Sequence, residues 1–265
     1  MKGIDVAKWN EITDYGILKS QGVEFSIVKV INKSNKPDDR FRTHMYGFEK
    51  ANIPVIGGYN YSYATTTDKA IQDAYAFLLS ADGKIKTCWL DVEDNCQKNI
   101  GSKLVDIILA YKSVIEKAGL KFGVYTGLSF YNSYLKPYAS KLDFPLWIAR
   151  YYKGDTIMKL SENPLESKKP NIGKNIYAWQ YTSKGLINGI KGYVDINNLY
   201  SDLTSKSKPQ SLTDTLEFLQ GIQTYSKSKD GNKTITIKVI ADTNCITIKK
   251  VFIPISSYIL NYYVT

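Results

Sequence analysis

The sequence is poor in the residues that most catalytic and metal sites are built from. It has one histidine, His44, and three cysteines, Cys88, Cys96 and Cys245. A single histidine excludes any site that needs two, and the cysteines lack both zinc-site spacing and a Cys-x-x-Cys redox pair. No metal and no cofactor is therefore expected. An odd cysteine count argues against a disulfide framework, and Cys88, inside an apolar run, reads as a small buried hydrophobe. His44 follows Arg40-Phe41-Arg42-Thr43 in a polar stretch and is expected at the solvated surface. No apolar run approaches the ~18 residues of a membrane span. The N-terminus, Met1-Lys2-Gly3-Ile4-Asp5, has no secretion-signal hydrophobic region and runs directly into a first strand. The expected product is soluble and cytoplasmic, and if its target lies outside, something else must release it.

What is abundant is positive charge and tyrosine. The formal charge is +10, of which +4 comes from residues 206–265, so the excess is spread along the chain. Such a balance implies a polyanionic partner, either nucleic acid or an anionic cell-envelope polymer. Its even spread, with no basic helix or arginine stripe, favours attraction to a charged surface over groove recognition. The 21 tyrosines offer stacking faces for sugars or bases, although many serve ordinary packing. A chain of 265 residues with 43% hydrophobic residues can bury one full α/β core of about 200 residues and carry a small appendage.

Apolar strand-like runs alternate with helix-period segments over the first 200 residues. Strands are expected at 2–6, 25–30, 54–61, 87–91, 121–125, 145–149, 176–181 and 192–196. Helices are expected from Thr67 to Leu79, behind a Thr/Asp cap, and from Ser102 to Lys117, ending at Gly119. Later connections are shorter and less helical. The pattern predicts an irregular (β/α)8-like barrel with some outer helices missing, plus a small β-rich C-terminal domain.

Within that barrel the carboxylates are informative. Asp91 and Glu93 close the run Thr87-Cys88-Trp89-Leu90-Asp91-Val92-Glu93 and, two residues apart, leave one face of a strand. Their Cα rise is roughly 6.5–7 Å, near the spacing of paired glycosidase carboxyls. Two like charges this close also raise a pKa, which keeps one carboxyl protonated as an acid. Asp5 ends the first expected strand and Asp195 falls near the end of the last, so four acids converge on the C-terminal rim where barrel chemistry sits. Tyr61, Tyr63, Tyr125, Trp147 and Gln180 fall around them as candidate sugar contacts. Trp147 and Trp179 also fit plain barrel packing.

Thr204 to Ser211 is a polar linker containing Pro209. The expected organisation is a catalytic domain over 1–203, a linker over 204–211 and a small domain over 212–265. In the last, residues 234–239 alternate as a strand, 245–255 hold another strand or two, and Leu212, Leu216, Leu219 and Ile222 fit a short helix or a strand. The apolar end, Tyr258 to Val264, implies a final strand, a docking segment or a contact between copies.

Five segments in order carry a resemblance. Gly3-Ile4-Asp5-Val6-Ala7-Lys8-Trp9-Asn10, Trp89-Leu90-Asp91-Val92-Glu93, Pro145-Leu146-Trp147-Ile148-Ala149-Arg150-Tyr151, Ala178-Trp179-Gln180-Tyr181-Thr182 and Gly192-Tyr193-Val194-Asp195-Ile196-Asn197 are similar to the blocks of glycoside hydrolase family 25 lysozymes. These are the muramidases common among bacteriophage endolysins. Ala7 departs from the family's usual serine. The resemblance implies cleavage of the β-1,4 bond between N-acetylmuramic acid and N-acetylglucosamine in peptidoglycan. It makes Glu93 the general acid and then base, with Asp91 setting its pKa and positioning the substrate's acetamido group. Retention by substrate assistance is implied, although the residue spacing leaves direct attack by Asp91 open. Asp5 and Asp195 would hold the charge balance of the cleft. An enzyme of this kind meets peptidoglycan, and through its basic surface and C-terminal domain anionic wall polymers, at the bacterial wall of a Gram-positive host. A bacterial wall-remodelling enzyme is the other possible setting.

Three other readings compete. A chitinase carries Asp-x-Asp-x-Glu, and here Trp89 stands in place of the first acid. A non-catalytic carbohydrate-binding barrel would lack the acid that Glu93 supplies. Nucleic-acid binding has the charge but no motif, because the aromatic residues track the acids and not the basic clusters. Residues 211–265 carry no motif that resembles a named family. Wall binding and formation of a homo-oligomer are the two roles their composition supports.

Overall fold

The computed structural model describes residues 1–151 and 156–200, together with the backbone of three later strands, Thr234–Ala241, Asn244–Phe252 and Asn261–Tyr262. Contacts divide the chain into two units, Met1–Ser207 and Lys208–Thr265. The 204–211 linker, the 212–222 segment and most of the 258–264 end lie outside the described residues. In the second unit the strand expected at 234–239 runs to Ala241. It pairs antiparallel with Asn244–Phe252, which in turn pairs with Asn261–Tyr262.

Eight strands of the first unit close a barrel: β1 Lys2–Val6, β2 Phe25–Ile31, β3 Val55–Tyr61, β4 Thr87–Asp91, β5 Lys121–Gly127, β6 Leu146–Ala149, β7 Ala178–Leu186 and β8 Val194–Leu199. They are hydrogen-bonded in chain order from β1 to β7, all parallel, and β8 closes the ring between β7 and β1. β8 runs antiparallel to both neighbours. This is an exception to the parallel barrel. The connection from β7 to β8 is too short for the crossover that a parallel neighbour requires, so the chain turns back.

The outer layer is complete on one side only. Helices α1 Tyr15–Ser20, α2 Phe41–Lys50, α3 Thr67–Ala81 and α4 Lys103–Lys117 follow the first four strands. Thr66 Oγ1 caps α3 by accepting from Lys69 N at 3.2 Å. Gly119, with φ of +79°, reverses the chain after α4. β5 is followed by short, irregular helical turns over 128–141, and β6 and β7 have no full helix after them among the described residues.

Strand alternation sorts the side chains into two layers. Val28, Val30, Cys88, Leu90, Val124 and Ile148 point outward and pack under the helices. Phe25, Ile27, Trp89, Trp147 and Ala178 point into the barrel and form a separate inner cluster. Trp89 fills the interior beneath the acids, its ring 5.8 Å from Trp147 and 5.1 Å from Tyr177. Glycine makes that possible, since a Cβ at Gly123 would stand 2.3 Å from the Trp89 ring. Trp179 belongs to the outer layer, so packing is its role, with Nε1 donating to Arg150 O at 3.0 Å.

His44 corrects the expectation of a surface histidine. It is buried on α2, whose inner stripe is Phe41, His44, Gly47 and Phe48. Its Nδ1 lies 2.9 Å from Tyr15 Oη and its Nε2 3.1 Å from Ala7 O. The flanking arginines hid this stripe, because at helical spacing they sit on the solvent side while every third or fourth residue turns inward.

Candidate active site

The inward positions at the C-terminal ends of the parallel strands meet in one pocket of about 210 Å³. Asp5 enters from the end of β1 and Asp91 from the end of β4, with Glu93 two residues beyond the strand and still on the same side. Asp195 joins them from an unexpected direction. It stands near the beginning of β8, not the end, and faces Asp5 in register. Because β8 runs antiparallel, its beginning lies at the rim where the other strands finish. All four expected acids thus line the pocket, as do Tyr125, Trp147 and Gln180.

Tyr61 and Tyr63 stand beside the pocket and do not line it. Tyr61 Oη donates to Asp94 Oδ2 at 3.1 Å, and its ring centroid is 4.8 Å from that of Tyr63. Two lining residues were missing from the expectation, Tyr59 and Tyr151. Each has a simple signal, since Tyr59 precedes Tyr61 by one inward step and Tyr151 follows Trp147 and Ala149 at the same alternation. Lys29 was also missed. Its ammonium lies 5.7 Å from the Tyr59 ring and 5.7 Å from the Tyr61 ring, half-buried and close enough to Asp91 for their charges to interact.

A buried hydrogen-bond network holds the floor. Asp5 Oδ2 accepts from Gln180 Nε2 at 2.9 Å and from Asn197 Nδ2 at 2.7 Å. Asn197 Oδ1 accepts from Trp147 Nε1 at 2.9 Å. Gln180 Oε1 accepts from Tyr125 Oη at 2.7 Å and from Tyr151 Oη. Both amides therefore have a fixed orientation, with each end committed. Asp195 faces Asp5 across the β1–β8 pair, close enough for the two carboxyls to interact. Asp91 differs: its Oδ1 is buried with no hydrogen-bond partner among the described residues.

Burial sets the protonation of the acids. Desolvation raises Asp5 to about 6 against the pull of its hydrogen bonds. Desolvation and the Glu93 charge hold Asp91 well above the usual carboxylate range, and Lys29 opposes that rise. Desolvation also raises Glu93, and the charges of Asp5 and Asp94 add to the rise. A pocket with paired carboxyls, a retained proton and aromatic walls can donate a proton to a leaving oxygen and stabilise the positive charge that develops as the bond breaks.

Known proteins are similar to this chain in sequence and fold. The autolytic lysozyme of Clostridium acetobutylicum is 28% identical over 199 residues, which cover 74% of this chain and 55% of that protein. The chain thus spans little more than half the length of that relative. Among solved structures, the catalytic domain of endolysin ply40 from bacteriophage P40 of Listeria monocytogenes is similar with a TM-score of 0.61 and 26% identity, over 76% of this chain and 94% of that one. GHIP, a glycosyl hydrolase 25 of Streptococcus pneumoniae, has a TM-score of 0.60 and 25% identity, over 75% of this chain and 86% of that one. Residues 4–190 match the family profile, a span that includes Asp5, Asp91 and Glu93 and stops short of Asp195, and the chain belongs to the glycosyl hydrolases family 25.

Proposed function

We propose that the protein is a lysozyme of the N-acetylmuramidase type, cleaving the β-1,4 bond between N-acetylmuramic acid and N-acetylglucosamine in peptidoglycan. The observation that carries this reading is the joint placement of Asp91 and Glu93 with Asp5 and Asp195 in one pocket, on a chain of this family. Glu93 is the general acid. It is less buried than Asp91, reaches the pocket from beyond the strand, and no cation is among the main influences opposing the rise of its pKa. Lys29 only partly offsets the rise of Asp91, so burial holds both carboxyls toward protonation and it is position, at the open side of the pocket, that makes Glu93 the acid. Protonation of the glycosidic oxygen by Glu93 breaks the bond, and the same carboxylate then takes a proton from the attacking water.

Asp91 is the helper. Its carboxyl lines the pocket and has an oxygen without a partner among the described residues, so it is the acceptor for the acetamido N–H of the muramic sugar, which turns the acetamido oxygen onto the anomeric carbon. This supports retention by substrate assistance. Removing the acetyl group from that sugar should abolish cleavage, whereas direct attack by Asp91 would survive its removal. The chitinase reading is weaker because Trp89, in place of the first acid, fills the buried interior and has no carboxyl to offer. A non-catalytic barrel would have no use for two carboxyls held near protonation.

The setting we favour is that of a phage endolysin lysing a Gram-positive host, held in the cytoplasm until released to the wall. Similarity to the ply40 catalytic domain supports it. For residues 212–265 we favour wall binding over oligomerisation, and deleting residues 209–265 while measuring wall sedimentation and mass in solution separates the two. The central test is clearance of Gram-positive walls and release of muramic reducing ends by wild type and Glu93→Gln. The variant should lose about 10²–10⁴ in rate. Lysis that survives the substitution would remove Glu93 from the role of acid.

A further inference from the structure

The four tryptophans divide sharply. Trp89, Trp147 and Trp179 are no more than 1% exposed, whereas Trp9 is 80% exposed. A single exposed hydrophobic residue is ordinary on a protein surface. Trp9 is set apart by its position and by how firmly it is held. It lies three residues beyond the end of β1, on the rim that carries Asp5, and not on the outer flank of the barrel.

The turn that presents it is fixed from several sides. Asn10 N donates to Ala7 O at 3.0 Å, and Ala7 N donates to Asn10 Oδ1 at 2.9 Å. The buried His44 also meets Ala7 O, at 3.1 Å. Asn10 Nδ2 donates to Tyr193 O at 3.4 Å, which ties the turn to the segment entering β8 just before Asp195. Lys8 Nζ lies 4.7 Å from the Trp9 ring centre and 3.3 Å from Asp39 Oδ2, so a bridged cation braces the indole. Tyr193, on the same rim, is 47% exposed. The result is a large apolar ring, preset in solvent, beside a pocket with room for only part of a polymeric chain.

We propose that Trp9, flanked by Tyr193, is a stacking platform for a sugar of the glycan strand that lies outside the catalytic pocket. The apolar C–H face of a pyranose covers an indole without needing a hydrogen bond, and the ring's present exposure is area a ligand can remove from water. The proposal rests on the reading of the protein as a glycan-strand hydrolase and adds a contact site to it.

The test uses the full chain carrying Glu93→Gln and peptide-free strands of alternating N-acetylglucosamine and N-acetylmuramic acid. Trp9 is the tryptophan open to acrylamide, so quenching of the red-edge emission reports it directly. Long strands should protect it and the disaccharide should not. In catalytically competent protein, Trp9→Ala should lower the kcat/KM ratio for long over short strands by about five- to tenfold, the scale of one aromatic contact. Trp9→Phe should restore most of that ratio. The proposal falls if long strands bind by equilibrium dialysis with Trp9 still fully quenched, or if Trp9→Ala keeps the wild-type ratio. Protection only by strands that keep their stem peptides would also overturn it, making this a peptide contact. Wild-type release of reducing ends from walls is measured alongside. Its presence with no Trp9 effect sinks the platform alone, and its absence sinks the hydrolase reading with it.

Discussion

Replacing Asp5 by asparagine should make the barrel more stable at neutral pH, although Asp5 sits at the centre of the buried network. The carboxyl rises from 3.8 to about 6 because burial disfavours its charge. That is about two units, and at 1.36 kcal/mol each the ceiling is about 3 kcal/mol. A raised carboxyl helps stability fully below its unfolded pKa and loses that help as pH rises through its folded value. Wild type therefore weakens between about pH 4 and pH 6, and an asparagine does not titrate there. The substitution also keeps the contacts. Its Oδ1 can accept from Gln180 and Asn197, and its amide can donate to the Asp195 carboxyl opposite. Since an asparagine does not reproduce every contact of the protonated carboxyl, the net gain at pH 7.5 is expected to be about 1–3 kcal/mol.

Urea unfolding followed by tryptophan emission measures this cleanly, because all four tryptophans lie in the unit Met1–Ser207. At pH 4 the two proteins should be nearly equal, and the variant should gain steadily to pH 7.5. A stability difference that stays constant across that range would refute the reasoning, since burial of the Asp5 charge would then carry no linked proton.

Three further outcomes follow from other parts of the structure. His44→Gln should cost about 1–3 kcal/mol at pH 7.5 through its contacts with Tyr15 and Ala7. Burial lowers the His44 pKa, so wild type loses stability as pH falls below 6.5 and the variant's deficit should shrink toward pH 5 in the same urea assay. Gln180→Met leaves the Tyr125 and Tyr151 hydroxyls without their acceptor and Asp5 without one donor. It should cost roughly 2–4 kcal/mol and move the pH-dependent loss of stability upward, read from unfolding at several pH values. Gly123→Ala drives a methyl into the Trp89 ring and should cost about 1–3 kcal/mol, read as a lower Tm with secondary structure unchanged.

Most of the barrel was legible because its strands are buried on both faces and appear as short apolar runs between helical segments. Strand existence followed from composition, while strand ends did not. β7 continues to Leu186, past the expected end at Tyr181, because Thr182 to Gly185 pair with β8 although their composition is polar. α2 was invisible for the opposite reason. Its inner stripe uses a histidine and a glycine beside two phenylalanines, and a hydrophobicity pattern credits neither. The hydrogen bonds that let His44 be buried come from Ala7 and Tyr15, 37 and 29 residues away.

The site was legible to the extent that strand alternation fixes direction. Asp91 and Glu93 share a face because they are two apart, and that holds although the strand ends at Asp91. Asp195 reached the right place through a different geometry. Were β8 parallel to its neighbours, a residue near its start would lie at the far end of the barrel, away from Asp5. The antiparallel return instead sets Asp195 opposite Asp5, within interaction distance of its carboxyl. This strand direction therefore bears on the chemistry as well as the topology. It brings Asp5 and Asp195 into the pocket with Asp91 and Glu93, where the charges of Asp5 and Asp195 add to the rise of Asp91 and that of Asp5 adds to the rise of Glu93. A proton-retaining acid in this pocket is thus a property of all four carboxyls, and it depends on the reversal between β7 and β8.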